Sequence, residues 1–364
     1  MSVGIGIIGC GNVFPAYMKG LAQYDEVSVV RCSDIILERA EAGAERYDIP
    51  RWGGNAELLN DPDVDVVINL TPVIEHVGVS RTVLAAGKHL YSEKVIAISG
   101  SEARELLALA AKNNVTFGGA PDTFLGTWGT TAKHLVDTGA VGELVAASAC
   151  FAHNRVEARH PEPEAFFLPG GGPLFELGPY YVSALVHLLG PVVEVAGRTR
   201  VGALVRHATA PERLGAEIPV EVPTHGTAVL TFASGVVATV IITFDIWASE
   251  LPLRIELYGT DGTISVPHPN WYDGDVKVAP RPTGWENDWE VVPPMGSAPE
   301  CAPRELIRGP GVIDLVHSLD GERHQTSGAF AAHVLDVLLA IQEASDTKSV
   351  VTLAADGLQP TAGS

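Results

Sequence analysis

Over the first 121 residues, short apolar runs rich in β-branched side chains alternate with helix-length segments. No other feature of the chain restricts its fold as much. Residues 3–9 (VGIGIIG), 27–34 (VSVVRCSD), 63–72 (DVDVVINLTP), 88–93 (KHLYSE) and 115–121 (VTFGGAP) read as strands. Helical stretches to about Gln23 and over 36–47, 75–87 and 100–114 separate them. Near-continuous apolar strands joined by helices of this length require a parallel sheet covered on both faces. The expectation is a doubly wound α/β domain over residues 1–122, with a second domain over 123–364.

In such a sheet, ligands bind beyond the carboxyl ends of the strands, near the point where strand order reverses. Chemistry-bearing residues stand at these ends: Gly9-Cys10-Gly11-Asn12, then Asp34, then Asn69-Leu70-Thr71-Pro72, then Glu93-Lys94. Gly9-x-Gly11 after the first strand opens a dinucleotide fingerprint, because glycines let the backbone turn tightly and approach a pyrophosphate. Phe14 occupies the third glycine position and is expected to obstruct close helix–strand packing. Asp34, 23 residues beyond Gly11, suits the ribose hydroxyls of an adenosine. The other reading of Asp34 is a loop acid or helix cap. Ile35, Ile36 and Leu37 follow it, so no adjacent arginine awaits a 2′-phosphate. NAD is favoured, with NADP possible.

A formal net charge of −20 argues against nucleic acid or an anionic membrane as the main partner. No apolar stretch reaches the roughly 18 residues of a membrane span. The amino terminus lacks the basic start and cleavage site of a secretion signal. Cys10, Cys32, Cys150 and Cys301 are scattered, without the Cys-x-x-Cys spacing of a zinc or dithiol site. A cytoplasmic location without a metal is the expectation. His153, His160, His187 and His317 lack ligand spacing and read as ordinary core or surface residues.

After a loop and helix over 121–143 the period changes. Residues 144–153, 194–205, 225–234, 235–246, 253–266 and 275–280 are strand-like, with turns at Ser234-Gly235 and Asp261-Gly262. Tight turns between consecutive strands make an antiparallel sheet. Between these strands lies LPGGGPLFELGPYYVSALVHLLG (168–190). Pro179 suits a first helical turn, so a helix is expected from about Glu176, which places Glu176 and Tyr180 on one face. Glycines 170–172 would let a ligand approach the backbone, and Tyr181 points away into the core. Trp271, Trp285 and Trp289 read as packing of a long loop rather than stacking on a sugar or covering a partner. Residues 327–345 have helical periodicity.

GIIGCGN, Asp34, VVINLTPVIEHVGVSRTVLAAGKHLYSEK and GGGPLFELGPYY together resemble the glucose–fructose oxidoreductase, inositol dehydrogenase and rhizopine-catabolism (Gfo/Idh/MocA) superfamily. The resemblance implies a Rossmann domain carrying NAD(P), then an α+β domain with a large open antiparallel sheet. It implies hydride transfer on a sugar, cyclitol or related polyol. The family's Glu-Lys-Pro motif, where the proline is often preceded by a cis peptide, reads Glu93-Lys94-Val95 here. Its usual Asp and His are replaced by Glu176 and Tyr180. The candidate cofactor contacts are Gly9, Gly11, Asn12, Val13, Asp34, Asn69, Thr71, Pro72, His76 and Glu93. The candidate substrate contacts are Lys94, Asp122, Glu176 and Tyr180.

A cation at the substrate oxygen stabilises alkoxide character, by roughly 4 kcal/mol at about 4 Å and an effective dielectric near 20. Lys94 is the residue for that role. Neutral tyrosine is a poor base at pH 7, but an adjacent ammonium favours the phenolate. The expected catalytic set is Lys94, Tyr180 and Glu176, with either Tyr180 or Lys94 exchanging the hydroxyl proton. An open sheet face implies a homodimer or homotetramer. The alternative function is a non-catalytic dinucleotide- or sugar-sensing protein on the same scaffold.

Overall fold

The computed structural model describes residues 2–153, 156–160, 162–282, 288–300 and 306–354. Trp285 and Cys301, considered above, lie outside the described residues. The chain divides into two compact units: residues up to Gly126 with 298–335, and Thr127–Ser297 with the residues from Asp336 onward.

The first unit follows the βα alternation. Its elements are β1 (Val3–Ile8), α1 (Phe14–Leu21), β2 (Val27–Ser33), α2 (Leu37–Tyr47), β3 (Arg51–Gly53), α3 (Asn55–Leu59) and β4 (Val66–Asn69). Then come α4 (His76–Ala85), β5 (His89–Ser92), α5 (Gly100–Lys112) and β6 (Phe117–Gly119). The six strands lie in the order β3-β2-β1-β4-β5-β6, and every neighbouring pair is parallel. This is the doubly wound dinucleotide-binding topology, with its reversal between β1 and β4. Ile5, Ile7, Val66 and Ile68 are completely buried, as expected for strands covered on both faces. The short β3 and α3 escape the sequence reading, because three residues around Trp52 are too few to show a period.

Phe14 is accommodated rather than obstructive. It is buried, meets Tyr47 edge-on with centroids 5.7 Å apart, and faces Gly43 of α2. A β-carbon at Gly43 would come within 3.2 Å of its ring. The space missing on one side of Phe14 is thus supplied by a glycine in the neighbouring helix.

In the second unit, α6 (Thr127–Asp137) leads to β7 (Leu144–Ala152), followed by α7 (Val156–Arg159), α8 (Gly172–Glu176), α9 (Gly178–Leu189) and β8 (Val192–Arg200). A small pair, β9 (Val205–His207) and β10 (Glu217–Pro219), precedes β11 (His225–Phe232), β12 (Val237–Thr243), β13 (Arg254–Gly259), β14 (Gly262–Val266), β15 (Lys277–Pro280) and β16 (Glu290–Val291). With β17 (Val351–Thr352) the main sheet has nine strands, ordered β16-β15-β14-β13-β7-β12-β11-β8-β17. The hairpins β11–β12 and β13–β14 form around the expected turns. The sheet is mixed rather than purely antiparallel, since β7 and β12 run parallel. Those two strands are far apart in sequence, so their pairing is not constrained by a tight turn. Along β11 the buried residues Gly226, Ala228, Leu230 and Phe232 alternate with outward His225, Thr227, Val229 and Thr231.

The expected helix from Glu176 is corrected by the structure. Helix α8 ends at Glu176, Leu177 interrupts it, and α9 starts at Gly178 with Pro179 in its first turn. Proline has no N–H to donate and crowds the carbonyl four residues earlier, so one helix cannot run through Phe175–Pro179. Glu176 and Tyr180 therefore do not share one helical face. Tyr181 is fully buried as expected, with its hydroxyl 3.4 Å from His268 Nδ1.

Helices α10 (Pro310–Leu319) and α11 (Gly328–Thr347) complete the chain's helices among the described residues. A single cut near residue 122 does not describe the division, because the segment 298–335 lies with the Rossmann unit. The buried Asp122 carboxylate accepts the Gly311 N–H at 2.7 Å, and a β-carbon at Gly20 of α1 would overlap the Arg308 carbonyl. Contacts this close fix α10 against the first sheet's layer.

Candidate nucleotide site and catalytic residues

Three strand ends of the first unit converge through main-chain and carboxylate bonds. Gly9 has φ +102, and a β-carbon there would press on the Leu70 carbonyl at 2.9 Å. Only glycine suits that position. Its N–H donates to the Ser33 carbonyl, and the next amide, of Cys10, donates to Asp34 Oδ2 at 2.8 Å. The other Asp34 oxygen accepts the Ile36 N–H at 2.9 Å. Asp34 thus does make the local turn bond of the alternative reading, while an ionised carboxylate has about four acceptor positions and keeps two for hydroxyls.

Gly11 and Asn12 are exposed, and a β-carbon at Gly11 would meet no atom within 4 Å. Helix α1 starts just beyond, with no side-chain cap and no acidic residue in its first turn. The positive end of its dipole lies toward that open space. The turn, the open approach at Gly11 and Asp34 fit a dinucleotide: the N–H groups of Gly11, Asn12 and Val13 suit a pyrophosphate and Asp34 a ribose. Ile35 is 96% exposed, with Ile36 and Leu37 also exposed beside it. No cation stands in that run.

The loop after β4 is built differently from the sequence expectation. Asn69 is completely buried. Its amide donates to the His76 carbonyl and Ser80 Oγ, both at 3.1 Å, while its oxygen accepts from Thr71 N–H and Thr71 Oγ1. That fills all four hydrogen-bonding positions of an asparagine side chain. His76 is buried as well, with Nδ1 2.7 Å from the Val95 carbonyl and Nε2 2.8 Å from the Thr71 carbonyl. Burial pushes its pKa below the usual imidazole value, against the pull of the carbonyls and of nearby Glu93. Both side chains are committed to the protein itself. They brace Thr71 and Pro72, which remain half-buried and exposed at the loop surface.

Glu93 is buried between Tyr17, whose hydroxyl donates to Oε1 at 2.9 Å, and the Lys94 N–H, which donates to Oε2 at 3.0 Å. The Lys94–Val95 peptide is cis although no proline follows the lysine. Lys94 is half-buried at the end of this strand.

Asp122 is completely buried, and its carboxylate holds the first turn of α10 through the Gly311 N–H. The Ala120–Pro121 peptide just before it is cis, and the helix that supplies its partner is remote in sequence. In the second unit Tyr180 lies in the first turn of α9 at 7% exposure, and Glu176 is half-buried at the end of α8. Glycines 171 and 172 approach protein backbone, since β-carbons there would press on the Ala165 and Pro223 carbonyls. Trp271 offers its carbonyl to Trp128 Nε1 at 2.6 Å, whereas Trp289 is 44% exposed. Among the described residues no cluster of three or more His, Cys, Asp or Glu is arranged to hold a metal ion, and no helix is long and apolar enough to cross a membrane.

Residues 3–119 match the oxidoreductase family model with an NAD-binding Rossmann fold, and residues 130–265 match the GFO/IDH/MocA C-terminal domain. The chain belongs to the Gfo/Idh/MocA oxidoreductase family. Its first unit is the family's NAD-binding Rossmann domain. A dTDP-3,4-didehydro-2,6-dideoxy-alpha-D-glucose 3-reductase of Streptomyces antibioticus is 28% identical over 53% of this chain, a match spanning 58% of that reductase. A trans-1,2-dihydrobenzene-1,2-diol dehydrogenase of Bos taurus is 25% identical over 87% of this chain and 93% of its own length. Among solved structures, an NAD binding oxidoreductase from Klebsiella pneumoniae superposes with TM-score 0.82 at 20% identity, covering 97% of this chain and all of that one. Levoglucosan dehydrogenase in complex with NADH superposes with TM-score 0.80 at 18% identity, with the same coverage. These two establish likeness of fold.

Proposed function

We propose that this protein is an NAD-dependent dehydrogenase or reductase acting on a secondary alcohol, or the matching ketone, of a sugar, cyclitol or related polyol. The observation that carries the cofactor half of this reading is the open approach at Gly11 beside an Asp34 carboxylate bonded to the same turn. The substrate half rests on the relatives. By their names, the Streptomyces reductase and the bovine dehydrogenase act on six-membered rings with adjacent oxygen functions.

When bound, NAD supplies the hydride acceptor or donor. The chain's own residues supply the rest. The ammonium of Lys94 stabilises negative charge on the substrate oxygen as the proton leaves or before it arrives. Tyr180 exchanges that proton, and Glu176 anchors a neighbouring hydroxyl. The competing assignment has Lys94 itself carry the proton and Tyr180 only hydrogen-bond the substrate. The outer face of the nine-stranded sheet, with exposed Val229 and Val237, supports a homodimer or homotetramer formed by covering that face.

The test is absorbance of NADH on mixing the protein with NAD and a panel of sugars, cyclitols and dihydrodiols. Turnover of one or more members is the expected outcome. Tight NAD binding with no turnover across the panel would overturn it and favour the sensing role, which the Glu176 and Tyr180 replacements also allow.

A further inference from the structure

Between Glu93 and Ala97 every residue is buried except Lys94. The backbone on both sides of that lysine is held from the two elements proposed to receive the dinucleotide. On its amino side, the Lys94 N–H donates to Glu93 Oε2 at 3.0 Å, and Glu93 Oε1 accepts the Tyr17 hydroxyl at 2.9 Å. Tyr17 is completely buried and belongs to α1, the helix that begins just beyond the glycine turn. On its carboxyl side, the Val95 carbonyl lies 2.7 Å from His76 Nδ1, and Nε2 of the same ring lies 2.8 Å from the Thr71 carbonyl. A neutral ring donates to one of these carbonyls, and a protonated ring to both. The Glu93 N–H also donates to the Asn69 carbonyl at 3.0 Å, which joins the end of β5 directly to the loop that carries Thr71.

We propose that Tyr17 and His76 are positioning residues for the reaction: through Glu93 and Val95 they fix the backbone of Lys94 to the nucleotide-binding elements. The inference rests on the reading that Lys94 is the alkoxide-stabilising cation. Hydride passes between carbon atoms only at contact distance, while the lysine holds the oxygen of the same substrate carbon. Cofactor and lysine must therefore share one frame, and a misplacement of about 1 Å costs on the order of 10²-fold in rate. The lysine stem is long and flexible, so its backbone is the part that the fold is able to fix. The Glu93 carboxylate is a rigid link between Tyr17 and that backbone. Without the phenol hydroxyl, Oε1 finds a new donor only by rotating Oε2 away from the Lys94 N–H, since a buried acceptor left unmatched is costly. His76 acts in the same way through main-chain carbonyls on either side.

The experiment compares the parent with Tyr17→Phe, which removes one oxygen, and with His76→Gln. Lysine amines are labelled with limiting acetic anhydride, and each site is read by peptide mass spectrometry with exposed Lys112 as the internal reference. Loosening the anchor should raise labelling of Lys94 severalfold relative to Lys112. Turnover is followed with NAD and the member of the polyol panel that the parent oxidises fastest. In Tyr17→Phe, kcat should fall about 10- to 100-fold, with KM and NAD affinity nearly constant. Because Tyr17 acts through the lysine, adding Tyr17→Phe to Lys94→Met should lower kcat no further. Lys94 labelled at the parental rate in Tyr17→Phe would overturn the proposal. So would an equal loss of kcat with and without Lys94, which is the mark of general damage. If Tyr17→Phe does not fold, His76→Gln carries the same comparisons. The labelling needs neither NAD nor substrate, so it decides the anchoring even where the parent turns nothing over, an outcome that would overturn the dehydrogenase reading instead.

Discussion

The Cys10 amide donates to Asp34 Oδ2 across 2.8 Å, so the acid at the end of β2 and the turn at the end of β1 form one connected piece. A substitution at Asp34 therefore removes the proposed ribose acceptor and loosens the turn at once. Asp34→Ala should raise the NAD dissociation constant about 10- to 100-fold, the range for a charged hydrogen bond of about 1.5–3 kcal/mol. Isothermal titration with NAD measures it, and an unchanged constant would remove Asp34 from the site.

Ile35, 96% exposed next to Asp34, can be changed with little effect on stability. Ile35→Arg introduces a planar cation suited to a 2′-phosphate. The ratio of kcat/KM for NADP over NAD should rise by roughly an order of magnitude, as expected for one charge-assisted contact. Equal ratios for parent and variant would argue that the ribose edge lies elsewhere.

Lys94→Met removes the proposed alkoxide-stabilising cation, and Tyr180→Phe removes the proposed proton carrier. Each should lower kcat by about 10²–10⁴ while NAD affinity stays nearly constant. Full activity in Tyr180→Phe together with loss in Lys94→Met would assign the proton to the lysine.

Asp122→Ala leaves the Gly311 N–H without its buried acceptor, which costs about 1–3 kcal/mol. The melting temperature should drop while the KM for any turned-over substrate holds. A raised KM at constant stability would return Asp122 to the substrate site.

His333 is buried in α11, and burial lowers its pKa from 6.5 to about 4. It stays neutral in the folded chain at pH values where the unfolded chain's histidine takes up a proton. Its contribution to stability is therefore intact above pH 6.5 and is lost as pH falls toward 4. His333→Leu should flatten the loss of melting temperature in that window relative to the parent. Parallel curves would contradict the assignment.

The alternation, the glycine turn, Asp34 and the strand-end lysine were legible in the sequence, because each depends on local period or on spacing within one βα unit. What escaped it depends on contacts between remote segments. Nothing near Asn69 or His76 in sequence reveals that their polar atoms are consumed by the loop they sit in. Phe14 appeared obstructive because its accommodation comes from Gly43, on another helix. The break at Leu177 was within reach of local reasoning. Pro179 forbids a helix through Phe175, and the sequence reading gave weight only to its tolerance in a first turn.

The attachment of α10 to the first unit bears on how the chain is made. Strands β1 to β6 leave the ribosome early, yet the partner of Asp122 and the backbone that meets Gly20 lie beyond residue 307. Most domains fold as units while synthesis proceeds. Here the NAD-binding half receives the helix that completes its packing only after the whole β-rich half has been translated.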